Sequence, residues 1–265
     1  MGKDPAEWGG LLNFHVLTLF PEMIEEAFSK SITGRAMSAG TLQLDAVNIR
    51  DFAEEQRKGR IDDYSYGGGA GMIMQAEPVY RAYCSVMERC EHARVLYMSP
   101  QGRRFDQAFA KELSQEKELI FLCGHYEGID QRVLDEIVTD EVSIGDYVLT
   151  GGELPALVMM DTISRLVPGV LSNEESAQTE SFMGEGLLEY PQYSRPQEWH
   201  DVSVPEVLMS GNHQAVDRWR REQSLLRTAM KRPDLCRDAV LNKKDRRYLR
   251  ENGLEEAYRG ARNID

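Results

Sequence analysis

The stretch Ser143-Ile144-Gly145-Asp146-Tyr147-Val148-Leu149-Thr150-Gly151-Gly152-Glu153-Leu154-Pro155-Ala156 has the residue types of a ligand cradle. Glycines let backbone come within contact distance of a ligand, because no Cβ stands in the way. The Leu-Pro-Ala that follows starts a helix, and the first N–H groups of a helix face whatever is bound there. Tyr147 to Leu149 reads as an apolar, strand-like piece leading into the paired glycine. The segment follows neither the Gly-x-Gly-x-x-Gly pattern of dinucleotide folds nor the Lys-Ser/Thr ending of a phosphate loop, so its ligand belongs to another class.

Other residues offer weaker signals. The cluster Tyr66-Gly67-Gly68-Gly69-Ala70-Gly71-Met72 also lacks the Lys-Ser/Thr ending and reads either as a flexible loop or as one facing a substrate. The sequence holds neither a Ser-His-Asp spacing nor a His-Glu-x-x-His helix. Each of the five histidines (His15, His92, His125, His200, His213) reads as structural or exposed, which disfavours a metal enzyme built on protein ligands. Arg165, near the end of the helix after the cradle, pairs by spacing with Asp161 or complements the helix C-terminus. Glu180 falls in a polar stretch, and spacing alone assigns it nothing.

These residues sit on a regular alternation of elements. Phe14 to Phe20 alternates as a first strand, and Pro21 begins a helix through Phe28. Leu42 to Val47 and Arg94 to Met98 are further strands, the second ending at Ser99-Pro100-Gln101-Gly102. Leu119 to Cys123 is almost wholly apolar, as expected of a strand covered on both faces, and ends at Gly124-His125-Tyr126-Glu127-Gly128. Glu141 to Ile144 precedes the cradle. Helices are predicted at Pro78–Glu91, Asp106–Ser114, Ile129–Glu136 and Leu154–Leu166. Strands alternating with helices imply an α/β domain with a largely parallel sheet. Three successive strand ends carry glycine loops, and ligands collect beyond the carboxyl ends of parallel strands.

Past Ser172 the text turns polar and small as far as Glu185, which marks a linker or lid. Beyond Pro205 it is helical: Ala215 to Met230, Pro233 to Leu241 and Lys244 to Glu251. The net charge of −13 argues superficially against nucleic acid, but its distribution changes that view. From Gly211 to Asp265 there are 14 Lys and Arg against 9 Asp and Glu, either a phosphate-contacting surface or a solvated helical face. Hydrophobic residues make up 42% and no apolar run approaches a membrane span, so the chain reads as soluble. The four cysteines form no Cys-x-x-Cys pair, which excludes a zinc ribbon or thioredoxin-type site and fits reduced thiols in the cytoplasm. Cys123 reads as a small buried residue. Met1 to Gly10 lacks the apolar core of a signal peptide.

In order along the chain, several segments together resemble the TrmD family, the bacterial tRNA (guanine-N1)-methyltransferases, within the knotted SPOUT methyltransferases. They are Phe14-His15-Val16-Leu17-Thr18-Leu19-Phe20-Pro21-Glu22-Met23, the Tyr66–Met72 cluster, Ser99-Pro100-Gln101-Gly102, Cys123-Gly124-His125-Tyr126-Glu127-Gly128-Ile129-Asp130 and the cradle. Pro168-Gly169-Val170-Leu171, Tyr193-Ser194-Arg195-Pro196 and Leu208-Met209-Ser210-Gly211-Asn212-His213 complete the series. The match runs from Asn13 to near the C-terminus and is far more specific than any one motif.

The resemblance implies what the pattern does not show. The fold would be an α/β SPOUT domain whose parallel sheet threads a deep trefoil knot, followed by a small α-helical C-terminal domain. True knots are otherwise nearly absent, so periodicity never suggests one. Residues 1–12 would be an extension, 13–171 the cofactor-binding domain, 172–185 a flexible linker or lid, and 186–265 a tRNA-binding domain gripping the anticodon arm. The cofactor would be S-adenosylmethionine, and the protein an obligate homodimer with active sites at the subunit interface. The substrate would be guanosine 37 of tRNAs in which another guanosine precedes it. Cofactor contacts would come from Tyr97, Ser99, Pro100, Gly124 and Glu127, from Ser143, Ile144, Gly145, Asp146, Tyr147, Val148 and Leu149, and from Gly151 and Gly152.

The resemblance assigns the base that takes the guanine N1 proton to Glu180, where the family usually has aspartate, and the cation near O6 to Arg165. It also implies a magnesium requirement, with no ligand cluster in the sequence to site the ion. Two rivals stay open: a knotted methyltransferase acting on ribose or ribosomal RNA, and an RNA-binding protein that keeps the cofactor fold without methyl transfer.

Overall fold

The computed structural model describes residues 11–55, 59–171, 181–182, 186–260 and 262–263. The chain divides into two compact units, Met1–Ser172 and Asn173–Asp265. In the first, β1 (Leu12–Thr18), α1 (Pro21–Phe28), α2 (Ser31–Ser38) and β2 (Leu42–Asn48) lead into a hairpin of β3 (Asp62–Tyr64) and β4 (Met72–Met74). Then come α3 (Ala76–Met87), β5 (Arg94–Arg104), α4 (Gln107–Leu113), β6 (Glu118–Leu122), α5 (Gln131–Ile137), β7 (Asp140–Ser143) and α6 (Glu153–Ser164). The main sheet runs β2-β1-β6-β5-β7 with every neighbour parallel.

Both faces of this sheet are covered, which is why its central strand β6 reads as an apolar run rather than an alternating one. Phe14, Val16, Leu96, Leu119 and Phe121 pack in one core with α1, α4 and α6, including Met159, Met160 and Ile163. Leu17, Val95, Ile120 and Leu122 pack in the other with Val79, Val86, Val133 and Ile137 of α3 and α5. Successive strand residues point to opposite faces, so each strand supplies both cores.

In this unit the structure departs from the sequence reading at several points; in the second unit, the helix expected over Pro233–Leu241 ends at Asp238 and Val240–Leu241 is a strand. Strand β5 does not stop at Met98: Met98 and Arg103 both pair with Val142, and the residues between them bulge out. Gly102 makes that bulge possible, since a Cβ there would run into the Glu141–Val142 backbone. Tyr147–Leu149 is not a strand but an exposed turn, because β7 is already the sheet edge and the chain must double back there. Helix α2 was hidden by its Ser, Thr and Gly content, and the β3–β4 hairpin by strands only three residues long.

After β7 the chain returns past β5 to the end of β6. There Gly152 N–H donates to the carbonyl of Gly124 at 3.1 Å. A Cβ on Gly152 would lie 2.6 Å from Cys123 Cα, so only glycine lets the two backbones meet. At the opposite, amino-terminal end of the sheet, Arg94 of β5 grips Asp140 of β7 bidentately at 2.7 and 2.8 Å. On β1, buried His15 places Nδ1 3.2 Å from Asp45 of β2 and Nε2 2.9 Å from Glu118 of β6. Carboxylates only accept, so both ring nitrogens donate and the ring is an imidazolium. Burial opposes that charge, but the hydrogen bonds and charges of Asp45 and Glu118 outweigh it and raise the His15 pKa.

The second unit carries the hairpin β8 (Glu198–Trp199) and β9 (Val202–Ser203), then α7 (His213–Lys231), α8 (Pro233–Asp238), β10 (Val240–Leu241), α9 (Lys243–Glu251) and β11 (Arg262–Asn263). Its core is small: Leu187, Leu225, Ala229, Cys236, Leu241, Leu249 and Tyr258 are among its residues. Asn242 and Asp245 form a reciprocal cap at the start of α9, and buried Asp245 also holds Arg221 of α7 at 2.8 Å.

Two outcomes follow from this packing. Gly152→Ala forces backbone apart at a closed contact, so its thermal midpoint should fall by several degrees, in line with a cost of about 1–3 kcal/mol for overpacking. The charge on His15 contributes stability that is complete below pH 6.5 and is lost as pH rises through the elevated folded-state value. Melting curves between neutral and alkaline pH should show that loss in the parent and a flatter profile in His15→Gln.

Candidate active site

Strands β6, β5 and β7 are neighbours in the sheet, so their carboxyl ends lie side by side. The β5 bulge, the loop after β6 and the cradle after β7 therefore close on one cavity of about 300 Å³. That volume is at the lower end of the range for small-molecule sites, about 300–1,000 Å³. Tyr97, Ser99, Pro100, Gly124, Glu127, Ser143, Ile144, Gly145, Tyr147, Val148, Leu149, Gly151 and Gly152 all line it. Asp146 is exposed and is not among the lining residues. Residues that the sequence reading did not single out also take part, among them Gln101, His125 and Tyr126.

Local bonding fixes each wall. Ser143 Oγ both accepts from Gly145 N–H at 3.2 Å and donates to the Gly145 carbonyl at 3.1 Å, which sets the turn out of β7. Gly145 has φ +153°, and a Cβ on it would sit 2.5 Å from the Tyr147 ring. Ser99 is buried, and its Oγ accepts from Gln101 N–H at 3.2 Å inside the β5 bulge. The Tyr97 ring lies against Gly124, where a Cβ would be 3.2 Å from it. Burial, with the charge of Glu141, pushes the Tyr97 phenol above its ordinary value, so it stays neutral at physiological pH. Glu127 N–H donates to the Met72 carbonyl at 3.0 Å, and the Glu127 side chain abuts Gly71. Only the Gly71–Met72 end of the glycine cluster thereby meets a residue that lines the cavity.

The lining chemistry selects a ligand class. Among the described residues that line the cavity there is no Lys or Arg, and the one carboxylate is Glu127. Phosphate recognition relies on cations or on a helix-start nest. A small wall of glycines, hydroxyls and backbone amides with one carboxylate instead suits an uncharged base and a cationic centre. A larger cavity, about 910 Å³, opens between the β3–β4 hairpin, α3 and α5, but the converging strand-end loops do not line it. Among the described residues no group of three or more His, Cys, Asp or Glu is placed to hold a metal ion.

Behind the cavity stands a carboxylate that residue spacing left without a role. Glu153 opens α6 and is only 3% exposed. Thr18 Oγ1 donates to one of its oxygens at 2.6 Å, and His125 Nε2 lies 2.7 Å from the other. A negative charge in the first helical turn is favoured by the helix dipole.

The two residues assigned to catalysis lie elsewhere. Glu180 is outside the described residues. Arg165 is half-buried at the C-cap of α6. Thirteen residues separate it from Gly152, which at 1.5 Å per residue is about 20 Å along the helix. Within one chain, then, Arg165 stands at the far end of α6 from the cavity. Leu154, Val158 and Arg165 fall within about 40° of one another around that helix. Leu154 is 47% and Val158 49% exposed, and α1, packed on α6, exposes Met23 and, at its N-cap, Phe20.

The profile of the family described as tRNA (Guanine-1)-methyltransferase TrmD matches residues 12–238. A tRNA (guanine-N(1)-)-methyltransferase of Lachnoclostridium phytofermentans is 51% identical over 272 residues, covering 92% of this chain and 98% of the relative. The namesake from Caldicellulosiruptor saccharolyticus is 55% identical over 89% of this chain and 95% of its own length. That of Staphylococcus epidermidis is 53% identical over 88% and 94%. With a family profile spanning most of its length and relatives above half identity over 88–92% of it, this chain belongs to the TrmD family of tRNA (guanine-N1)-methyltransferases.

Proposed function

We propose that this chain methylates N1 of guanosine 37 in tRNAs with guanosine at position 36, a modification that supports reading-frame maintenance. The methyl donor is S-adenosylmethionine, and the enzyme works as a cytoplasmic homodimer. The observation that carries the reading is the single cavity closed by three strand-end loops in a member of this family. Its backbone-rich wall suits an adenine edge, and its lack of Lys and Arg suits a sulfonium. When bound, the donor supplies an electrophilic methyl group.

The chain's own residues do the rest. Ile144, Gly145, Tyr147 and Leu149 present backbone groups to the adenine, while Tyr97 and Gly124 wall the opposite side. Guanine N1 carries a proton at neutral pH and becomes a good nucleophile only on losing it. Glu180 takes that proton, a contribution of roughly 10²–10⁴-fold for general-base catalysis. Arg165 stabilises the negative charge that moves to O6. Holding N1 in line with the methyl group supplies much of the remaining acceleration.

The distance along α6 supports a shared site. Arg165 lies about 20 Å from the cavity of its own chain. A helix apolar on nearly all sides is normally covered on all sides, yet α6 leaves Leu154 and Val158 exposed. A second copy seated on this face covers the stripe and carries its own Arg165 toward the neighbouring cavity. A two-fold arrangement of this kind builds two equivalent sites. The deep trefoil knot belongs to the same reading: the bulge of β5 around β7 and the return of the chain to β6 are its ingredients. The second unit, basic only from Gly211 onward, would hold the anticodon arm as a tRNA-binding domain, with residues 172–185 as the linker or lid before it.

Labelled donor and tRNA transcripts differing only at positions 36 and 37 test the specificity. Methylation should require guanosine at both, and transfer that ignores either base sinks the reading. Single-turnover transfer by Glu180→Gln should drop by about 10²-fold or more, and near-normal transfer removes Glu180 as the base. For Arg165→Ala, turnover should fall steeply with donor affinity unchanged. Mixing the two inactive variants should restore part of the activity if Glu180 and Arg165 of one site come from different chains; no recovery places both on the same chain.

A further inference from the structure

Glu153 is an expensive residue to keep where it is. A carboxylate removed from water costs several kcal/mol unless its oxygens are well bonded. Here the bonds come from two different chain segments. Thr18, at the end of β1, donates to Oε1 at 2.6 Å, and His125, in the loop after β6, meets Oε2 at 2.7 Å. Thr18 Oγ1 also accepts from Phe20 N–H at 3.0 Å, and the Phe20 ring packs edge-on against the His125 ring at 5.0 Å. The ends of β1 and β6 and the start of α6 are thus joined in a closed circuit.

That circuit dictates a cavity wall. A Cβ on Gly151 would collide with the His125 imidazole and lie 2.7 Å from Glu153 Oε2, so these two side chains fill the space beside the Gly151–Gly152 backbone. Of the three polar residues only His125 lines the cavity; Thr18 and Glu153 stand behind it. We infer that Glu153 is a positioning residue for the methyl-donor cavity, holding His125 and Thr18 so that the β6 loop and the paired glycine form a preset wall before any ligand arrives. A preset wall improves affinity by lowering the ordering cost of binding. None of the three side chains is assigned to the reacting atoms, so the effect falls on donor binding rather than on the methyl-transfer step. The inference rests on reading the cavity as the donor site.

Calorimetric titration of S-adenosylmethionine into the full-length protein tests it, alongside steady-state kinetics and melting curves. Thr18→Val and His125→Phe should each raise the donor Kd by about tenfold, the lower end for losing a hydrogen bond to a charged group. Both act through Glu153, so the double variant should lose less than the product of the two changes. Glu153→Gln should stay within about threefold, since its amide oxygen still accepts from Thr18 and its NH2 donates to the other His125 tautomer. At saturating donor, kcat should change little in Thr18→Val and Glu153→Gln, whose side chains stand behind the cavity wall. The inference is overturned if the variants are less stable but bind the donor as the parent does. It is equally overturned if the changes multiply independently, or if kcat falls while Kd holds. A parent protein that fails to bind the donor removes the cavity reading itself, a result distinct from equal binding by parent and variants.

Discussion

The contact on which the site depends is the meeting of two backbones, Gly152 against Cys123 and Gly124. A single side-chain carbon at Gly152 would come within 2.6 Å of Cys123 Cα. Because it is glycine, the chain leaving the edge strand β7 can cross back and start α6 directly against the end of β6, with the Gly152–Gly124 hydrogen bond locking it there. The rest follows from that anchor. Helix α6 lies across one face of the sheet, its Met159, Met160 and Ile163 enter the core, and Glu153 falls between Thr18 and His125. Residues 144–152, pinned at both ends, are held open as a loop over a cavity instead of collapsing onto the sheet.

Helix α6 ties stability to the proposed chemistry. Its buried side holds the core, its first turn carries the buried carboxylate behind the cavity, and its exposed stripe leads from Leu154 through Val158 to Arg165. One rigid element thus links the proposed donor cavity, the proposed subunit contact and the proposed cation. The length of that helix separates Arg165 from the cavity in its own chain, and the same length gives a second chain something to deliver. Polar chemistry is sorted likewise along the sheet. Ion pairs such as Arg94–Asp140 and His15–Glu118 gather at the amino-terminal ends of the strands, whereas the carboxyl ends carry a cavity wall rich in glycine, hydroxyl and backbone, backed by the Thr18–Glu153–His125 circuit.

Much of this was legible in the residues. The alternation from Phe14 to Phe20 predicted a strand, and the apolar run at Leu119 predicted one covered on both faces, because such a strand needs no polar alternation. Glycine at three successive strand ends predicted loops that close on a ligand, and these loops line one cavity. Other features left little trace. The three-residue strands beside the Tyr66–Met72 cluster are too short to show a period. Strand β5 continues past Met98 only because Arg103 finds Val142 a second time, a pairing that depends on where β7 lies. Tyr147 to Leu149 has the side chains of a strand but has no neighbouring strand to pair with.

By itself the sequence determined the alternation of elements, the strand-end glycines and, through the ordered series of motifs, the family. These are properties of local spacing and of residue type, which the chain carries before it folds. The tertiary structure decided which strand ends are neighbours, and hence that Tyr97, Gly124 and Ser143 share one cavity. It also decided that Glu153, one acid among many in the sequence, is buried between residues 135 and 28 positions away, Thr18 and His125. Contacts of such sequence separation leave no period to read: they are set by the order in which strands enter the sheet, and the close approach at Gly152 fixes that order in space.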